Sequence, residues 1–461
     1  MKGNCWLIGD SNCRFSVLVA QTASLRGLAL NFCPLAAEAI PALPAARFNL
    51  IALSFDRLKR LSPREKAQLK TCVGNGATLY IRGGALPGEP QSLWPFADHS
   101  FTVEVGPATA YRFSRHPLVP DALHGEEVAG DFITPIGMGL EEVCESICLA
   151  RFADGGEWPT LFLMRCGAGH VIYDLHSDEP ALESSMLAMF EDPKSLCVSA
   201  GALFAADLAA GLDWQETALF NLVIDDRPAN FDFLTTTRLQ AFLQHLEDRV
   251  PGIHVDFAWT PDQTHPSHRY MDVLKAHNTG FVWHGFLHHV DHRTVSDPRA
   301  ELSAGRRLVE DISRRYGVRF QPVMVFPFEK DTPEDVDLLK REGFLAKTEI
   351  PGAPGEEHLR SSPLRPWNGH PQTNSAGFTV LPRYPVEALT YNRMLACALL
   401  SLPIIAAAHP ADIALRRLAP LRPTGNGSLS HFDRVLDFAA RKHLRPGSLE
   451  QMAEQMITSA V

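Results

Sequence analysis

The feature that most limits what this chain can fold into is the regular alternation of short apolar runs with helical stretches between about Phe220 and Pro410. It begins with the strand FNLVID, the helix LTTTRLQAFLQHLEDRV, the strand IHVDFAWT, the helix SHRYMDVLKAHN and the strand TGFVWHG. It continues with the helix DPRAELSAGRRLVEDISRRYG, the strand PVMVFPF, the helix TPEDVDLLKREG and a strand around FLAKTEI. A loop rich in Pro and Gly covers Pro351 to Gly377, and the strands FTVLPRY and LPIIAAAH close the set. Alternation sustained over this length predicts a distorted parallel (β/α) barrel, which places its chemistry at the carboxyl ends of the strands.

The first 200 residues carry the same signature in a shorter form. CWLIGD, LALNF, FNLIALSF and TLYIRGG read as four strands joined by crossover helices. Between the third and fourth, Ser62 caps a helix with Pro63 in its first turn and Gly74 and Gly76 at its stop. TLFLMRCGAGHVIYDLHSD reads as a hairpin around Gly167 and Gly169, and Met186 to Gly211 as one or two helices. The helix followed by GATLYIRGG and the late GAGHVIYDL hairpin resemble the glutamine-amidotransferase-like, flavodoxin-like domains found beside other carbohydrate-active enzymes. No activity comes with that resemblance, because Cys33 and Cys72 lack the Gly-flanked strand-to-helix elbow of a nucleophile. The predicted organisation is therefore α/β throughout: a non-catalytic flavodoxin-like domain over 1–210, a barrel over 211–430 and a helical tail over 431–461. Packing, substrate presentation or homo-oligomerisation are the roles open to the first domain.

Composition removes several function classes. The chain has 461 residues, too many for one core, with 45% hydrophobic and 21% charged residues, which argues against extended disorder. A net charge of -10, with no run of Lys or Arg longer than a pair, offers no footprint for nucleic acid. Asp10, Asn12 and Arg14 interrupt the N-terminus before a signal-peptide core can form, and Ser401 and Pro403 interrupt the longest apolar run, Leu399 to Ala408. A cytoplasmic protein with no membrane span is expected. Nine cysteines without a CxxC pair do not form a disulfide framework; Cys144 and Cys148 could share a helix face, but two thiols make a poor metal site.

Three clusters fall at predicted strand ends. NLVIDDRP delivers Asp225 and Asp226 together, and adjacent carboxylates at the end of a buried strand need a cation or a shared proton. Alternatively they only open the next loop, with Arg227 as an ion-pair partner. FVWHGFLHH places His284 and His288 four apart, so that two imidazoles on one helical face can reach one divalent metal. His289 and His292 read as surface or supporting groups. With the aspartate pair, two His make a facial set that leaves positions for water and substrate. PIIAAAHP carries His409, whose imidazolium could protonate a leaving amine.

The order VIDD, HGFLH, VFPF, AAAHP resembles the polysaccharide deacetylase family, carbohydrate esterase family four, over somewhat under half of the chain. The resemblance implies a barrel of that family's type, an N-acetylated carbohydrate substrate, Asp225 as base and His409 as acid. It further implies Asp226, His284 and His288 as ligands of Zn2+ or another divalent metal. The chain departs from the family at two places. Val325 stands where an Arg two residues before Pro327 normally holds the base, and Gly285 follows His284 where many members have Ser or Thr. Arg227 or Arg383 could replace the lost cation. The expectation is a metal-dependent hydrolase that removes an N-acetyl group through metal-activated water. The rival is a domain that keeps the fold or the metal without turnover and serves as a glycan-binding or assembly protein. A glycosidase fits poorly, since adjacent Asp225 and Asp226 cannot flank a glycosidic bond from opposite sides.

Overall fold

Residue contacts in a computed structural model divide the chain into two units, the first over Met1–Glu216 and the second over Thr217–Arg365 and Pro371–Val461. The structure describes all residues except 1–2, 10–12, 27, 34–48, 84–87, 89, 93–95, 121–122, 140–142, 177–191, 212–217, 226–234, 262–265, 288–293, 328–330, 351–371, 374–377, 401, 410–428 and 460–461.

The first unit is built on four parallel strands, β1 (Asn4–Ile8), β2 (Ala29–Cys33), β3 (Asn49–Ser54) and β4 (Thr78–Arg82), in the order β2-β1-β3-β4. The helix Pro63–Gly74 before β4 is fixed by a capping box, in which Ser62 accepts from the Glu65 backbone and Glu65 accepts from that of Ser62. The sheet then departs from the doubly wound pattern. β5 (Pro90–Ser92), β6 (Ser100–Phe113), β7 (Glu127–Met138), β8 (Glu145–Phe152) and β9 (Glu157–Cys166) extend it antiparallel, and β10 (Gly169–Asp174) joins this meander to β4. Cys148 lies within β8, so it and Cys144 do not share a helix face. The hairpin of β9 and β10 forms as its glycines predict, with Gly167 at φ +63° in the two-residue turn. Cys72 lies in the helix Pro63–Gly74, and burial raises its thiol pKa.

At the carboxyl ends of β4 and β10 a buried polar chain replaces apolar packing. Tyr80 donates to Asp174 Oδ2 at 2.6 Å, His176 Nδ1 meets Asp174 Oδ1 at 2.7 Å, and its Nε2 meets the Tyr111 hydroxyl at 3.2 Å. Burial opposes ionisation of Asp174, but Arg82, His176 and Tyr80 outweigh it and hold the carboxyl below its usual range.

In the second unit β11 (Leu219–Ile224), β12 (Val255–Trp259), β13 (Thr279–His284), β14 (Phe320–Val325) and β15 (Ala346–Glu349) pair parallel in sequence order, separated by the helices Thr236–Arg249, His268–Ala276, Pro298–Tyr316 and Pro333–Arg341. β16 (Gln372–Thr373) pairs antiparallel with β17 (Thr379–Pro382). β17 pairs with β15, and after the single residue Arg383 the chain continues as β18 (Tyr384–Pro385), which pairs with β19 (Ile404–Ala408). β19 returns to β11. The one segment 379–385 thus clasps both ends of the parallel sheet and closes a distorted barrel, the architecture expected from the alternation.

Side chains alternate along each strand, so the inner face takes every second residue. Its middle is wholly apolar: Val223, Ala258, Val282, Val323, Ala346, Leu381 and Ile405 pack in one cluster. Leu449, Met452 and Ala453, from the helix Leu449–Ser459, join that cluster and plug the amino-terminal end of the barrel. Asp256 locks the plug in place: it accepts from Asn221 Nδ2 at 3.0 Å, His254 Nε2 at 3.1 Å, Gln321 and the backbone N–H of Leu449 at 2.8 Å. A short β20 (Arg445–Pro446) leads into the plug along β11.

Candidate active site at the carboxyl end of the barrel

Continuing the same alternation by one step carries the inner face past its apolar middle. Val223 is followed by Asp225, Val282 by His284, Leu381 by Arg383, and Ile405 and Ala407 by His409. Four residues that lie far apart in sequence thereby reach one end of one barrel.

Asp225 follows β11, and its backbone N–H donates to the Ala408 carbonyl at 2.8 Å, which ties it to the end of β19. Its side chain is 3% exposed and forms an ion pair through Oδ2 with that of Arg383, 2% exposed. His409 Nε2 lies 4.0 Å from the same oxygen. A buried carboxylate needs a compensating charge, and here the cation comes from the clasp of the barrel. Arg383 is thus the counter-charge of the buried Asp225 carboxylate. Its backbone N–H donates to the Glu349 carbonyl at 2.8 Å, which fixes the residue from which the guanidinium projects. The second carboxylate oxygen, Oδ1, is buried and has no hydrogen-bond partner among the described residues.

His284 ends β13 and is 3% exposed. Its Nδ1 lies 3.2 Å from the Val325 carbonyl. A carbonyl can only accept, so Nδ1 carries the proton of this bond. Metal-binding histidines are commonly oriented by this kind of bond. Gly285 has φ +69° and donates its N–H to the same carbonyl at 2.8 Å, a left-handed backbone turn that favours glycine. Behind it, Phe286 packs on Phe326 with ring centroids 5.8 Å apart. Helix Pro298–Tyr316 presses close from outside: a Cβ on Gly305 would lie 2.4 Å from the Phe286 carbonyl. The Val325 carbonyl thus holds both His284 and Gly285 at the end of β13.

Asp226, Arg227, His288, His289, His292 and Phe328 lie outside the described residues. Among the described residues no group of three or more His, Cys, Asp or Glu could hold a metal. The described donors are of the kinds that a divalent ion takes: a buried imidazole whose Nδ1 is fixed by a carbonyl and, at the same end of the barrel, a buried carboxylate whose Oδ1 has no hydrogen-bond partner among the described residues. No described helix is long and apolar enough to cross a membrane.

Sequence reasoning missed two side chains. Thr260 directly follows β12 and Thr348 lies in β15, both on the inner face; each is at most 1% exposed, and neither hydroxyl has a hydrogen-bond partner among the described residues. A hydroxyl two positions beyond the inward Ala258 or Ala346 was the available signal.

No family model matches the sequence, and no curated protein matches it. Agd3, described as a novel carbohydrate deacetylase, aligns with 100% of this chain and 87% of its own at a TM-score of 0.60 and 11% identity. This chain and Agd3 share a fold. The likeness to Agd3 spans both units. The peptidoglycan N-acetylglucosamine deacetylase Bc1960 covers 51% of this chain at a TM-score of 0.31 and 12% identity, and Puue allantoinase covers 53% at 0.33 and 12%. Scores that low, shared by different chemistries, add nothing to the fold that Agd3 establishes.

Proposed function

We propose that the chain is a metal-dependent hydrolase that removes an N-acetyl group from a sugar or polysaccharide. The observation that carries this reading is the buried Asp225–Arg383 pair, with one carboxylate oxygen held by the cation and the other without a partner among the described residues, at the strand ends that also carry His284 and His409. The Agd3-like fold supports the substrate class. Asp226, His284 and His288 would hold the divalent ion, which when bound supplies Lewis acidity toward an acyl oxygen and acidifies water.

The placement of the side chains supports a role for each. Arg383 binds Oδ2 of Asp225 and fixes the carboxylate plane, so Oδ1 is the oxygen that can take a proton from the attacking water. Hydrolysis forms the bond from water oxygen to acyl carbon and breaks the bond from carbon to nitrogen. The nitrogen then needs a proton to leave as an amine, and His409, with 55% of its side chain exposed, is placed to deliver one from the mouth. Asp225 Oδ2 lies 4.0 Å from His409 Nε2, so the proposed base and the proposed acid stand side by side.

The loss of the motif Arg at position 325 favours the rival reading, a binding protein without turnover, and the Arg383 pairing weighs against it. Elemental analysis of protein purified without added metal, followed by acetate release from a panel of N-acetylated sugars, separates the two. Metal without acetate release on any member of the panel would select the binding protein.

A further inference from the structure

Val325 and Glu349 hold parts of the candidate site through their backbone rather than their side chains. The Val325 carbonyl accepts from the Gly285 N–H at 2.8 Å and meets His284 Nδ1 at 3.2 Å, and the Glu349 carbonyl accepts from the Arg383 N–H at 2.8 Å. His284 and the counter-charge of Asp225 therefore hang from the ends of two neighbouring strands, β14 and β15. The ladder between those strands does not reach that far. Among the described residues it consists of Val323 with Ala346 and Met324 with Lys347, so it stops one residue before Val325 and two before Glu349.

Where the ladder stops, a buried ion cluster begins. Lys347 alternates with the inward Ala346 and so lies on the outer face of β15. Its side chain is 2% exposed, and Nζ donates to Asp331 Oδ1 at 3.0 Å and to Oδ2 at 2.8 Å. Asp331, itself buried, stands between β14 and the helix Pro333–Arg341. The same Nζ lies 3.3 Å from Glu349 Oε2, a contact of charge rather than a hydrogen bond. One ammonium thus joins the chain that leaves β14 to the tip of β15. Apolar side chains in place of a buried ion cluster are often neutral or stabilising, so stability alone does not account for this one. We infer that Lys347 is a positioning residue: through Asp331 and Glu349 it holds the two strand-end carbonyls, and with them His284 and Arg383, in fixed relation to each other. Its part in turnover rests on the proposed hydrolysis, whereas the fixing of the two carbonyls does not.

The test is hydrogen-exchange mass spectrometry resolved to single amides, on the full chain, with Lys347→Met against wild type and acetate release measured alongside. Three amides are followed: Gly285 and Arg383, whose acceptors are the two carbonyls, and Leu449, whose acceptor Asp256 lies at the opposite end of the barrel. The expected result is exchange at Gly285 and Arg383 faster by roughly tenfold or more, with Leu449 at its wild-type rate. A lysine that merely stabilises the fold would speed all three by one factor. That result, or an unchanged rate at Gly285 or Arg383, overturns the inference. In turnover, kcat should fall roughly tenfold or more while KM stays within about twofold, since geometry is lost without loss of a substrate contact. An active enzyme with unchanged kcat in Lys347→Met refutes the positioning role. If the wild type releases no acetate, the hydrolase reading falls, and the exchange comparison still decides what Lys347 does. Asp331→Asn and Glu349→Gln keep the side-chain shape and remove one charge each, so they serve if Lys347→Met does not fold. The first should speed Gly285 most and the second Arg383 most, and an equal effect of either on Leu449 overturns the inference.

Discussion

Replacing Arg383 with Met keeps most of the stem volume and removes the charge that balances Asp225. Both partners are 2–3% exposed, so solvent screens the lost interaction little. Breaking a buried pair of this kind costs about 3–5 kcal/mol, because the remaining charge is left uncompensated. The backbone bond from Arg383 to Glu349 does not depend on the side chain, so the barrel should still close. Urea denaturation of Arg383→Met against wild type measures the stability term. Acetate release measures the second effect, a fall of roughly a hundredfold from a base that is no longer held in plane. In a double-mutant cycle, adding Asp225→Asn to Arg383→Met should recover part of the lost stability, since the unpaired carboxylate is gone. If Arg383→Met stays within about 1 kcal/mol of wild type, a loss typical of ordinary substitutions, and retains full turnover, the pair is not the organising feature of the site.

His284→Ala should lower metal content by about a hundredfold in affinity or more, as read by elemental analysis after dialysis, whereas His289→Ala should retain it. Asp225→Asn should keep the metal while acetate release falls by roughly a hundredfold, and Asp226→Ala should lose both together. At the opposite end of the barrel, burial disfavours the charged form of His254, yet Asp256 and Asn278 outweigh it and raise its pKa above the usual 6.5. The stability that His254 contributes is therefore fully present below that value and lost as pH rises through the folded pKa. His254→Gln should lower the melting temperature more at pH 5.5 than at pH 8.5, and the opposite order would refute the pairing. Leu449→Ala in the plug, a fully buried position, should cost about 2–5 kcal/mol by chemical denaturation.

The barrel was legible because its strands and helices each declare themselves locally. The runs LFNLVI and VDFAW, the caps at Thr235, Ser267, Asp297 and Thr332, and the glycine after Tyr316 are all short-range signals. The meander over 100–152 was not legible, since Gly106, Pro107, Gly130 and Pro135 interrupt its alternation and cross-strand pairing restores it only in three dimensions. For the same reason the spacing of Cys144 and Cys148 suggested a helix. Individual site residues could be named from strand ends, but not their pairing. Asp225 and Arg383 are 158 residues apart, and only closure of the sheet brings them together, so Arg383 could be one of two candidates and no more. Asn221, Asp256 and Gln321 stood in plain view inside apolar strands, and their polarity made sense only once the helix that they bind was in place.

That dependence affects how the protein is made. On the ribosome every strand of the barrel, from β11 to β19, emerges before the helix Leu449–Ser459. Until that helix follows, Asp256 lacks the Leu449 amide and the apolar inner layer is open to water at its lower end. A nascent chain stalled between β19 and the plug would hold all the proposed site residues in an unfinished barrel, and would be a natural substrate for chaperones.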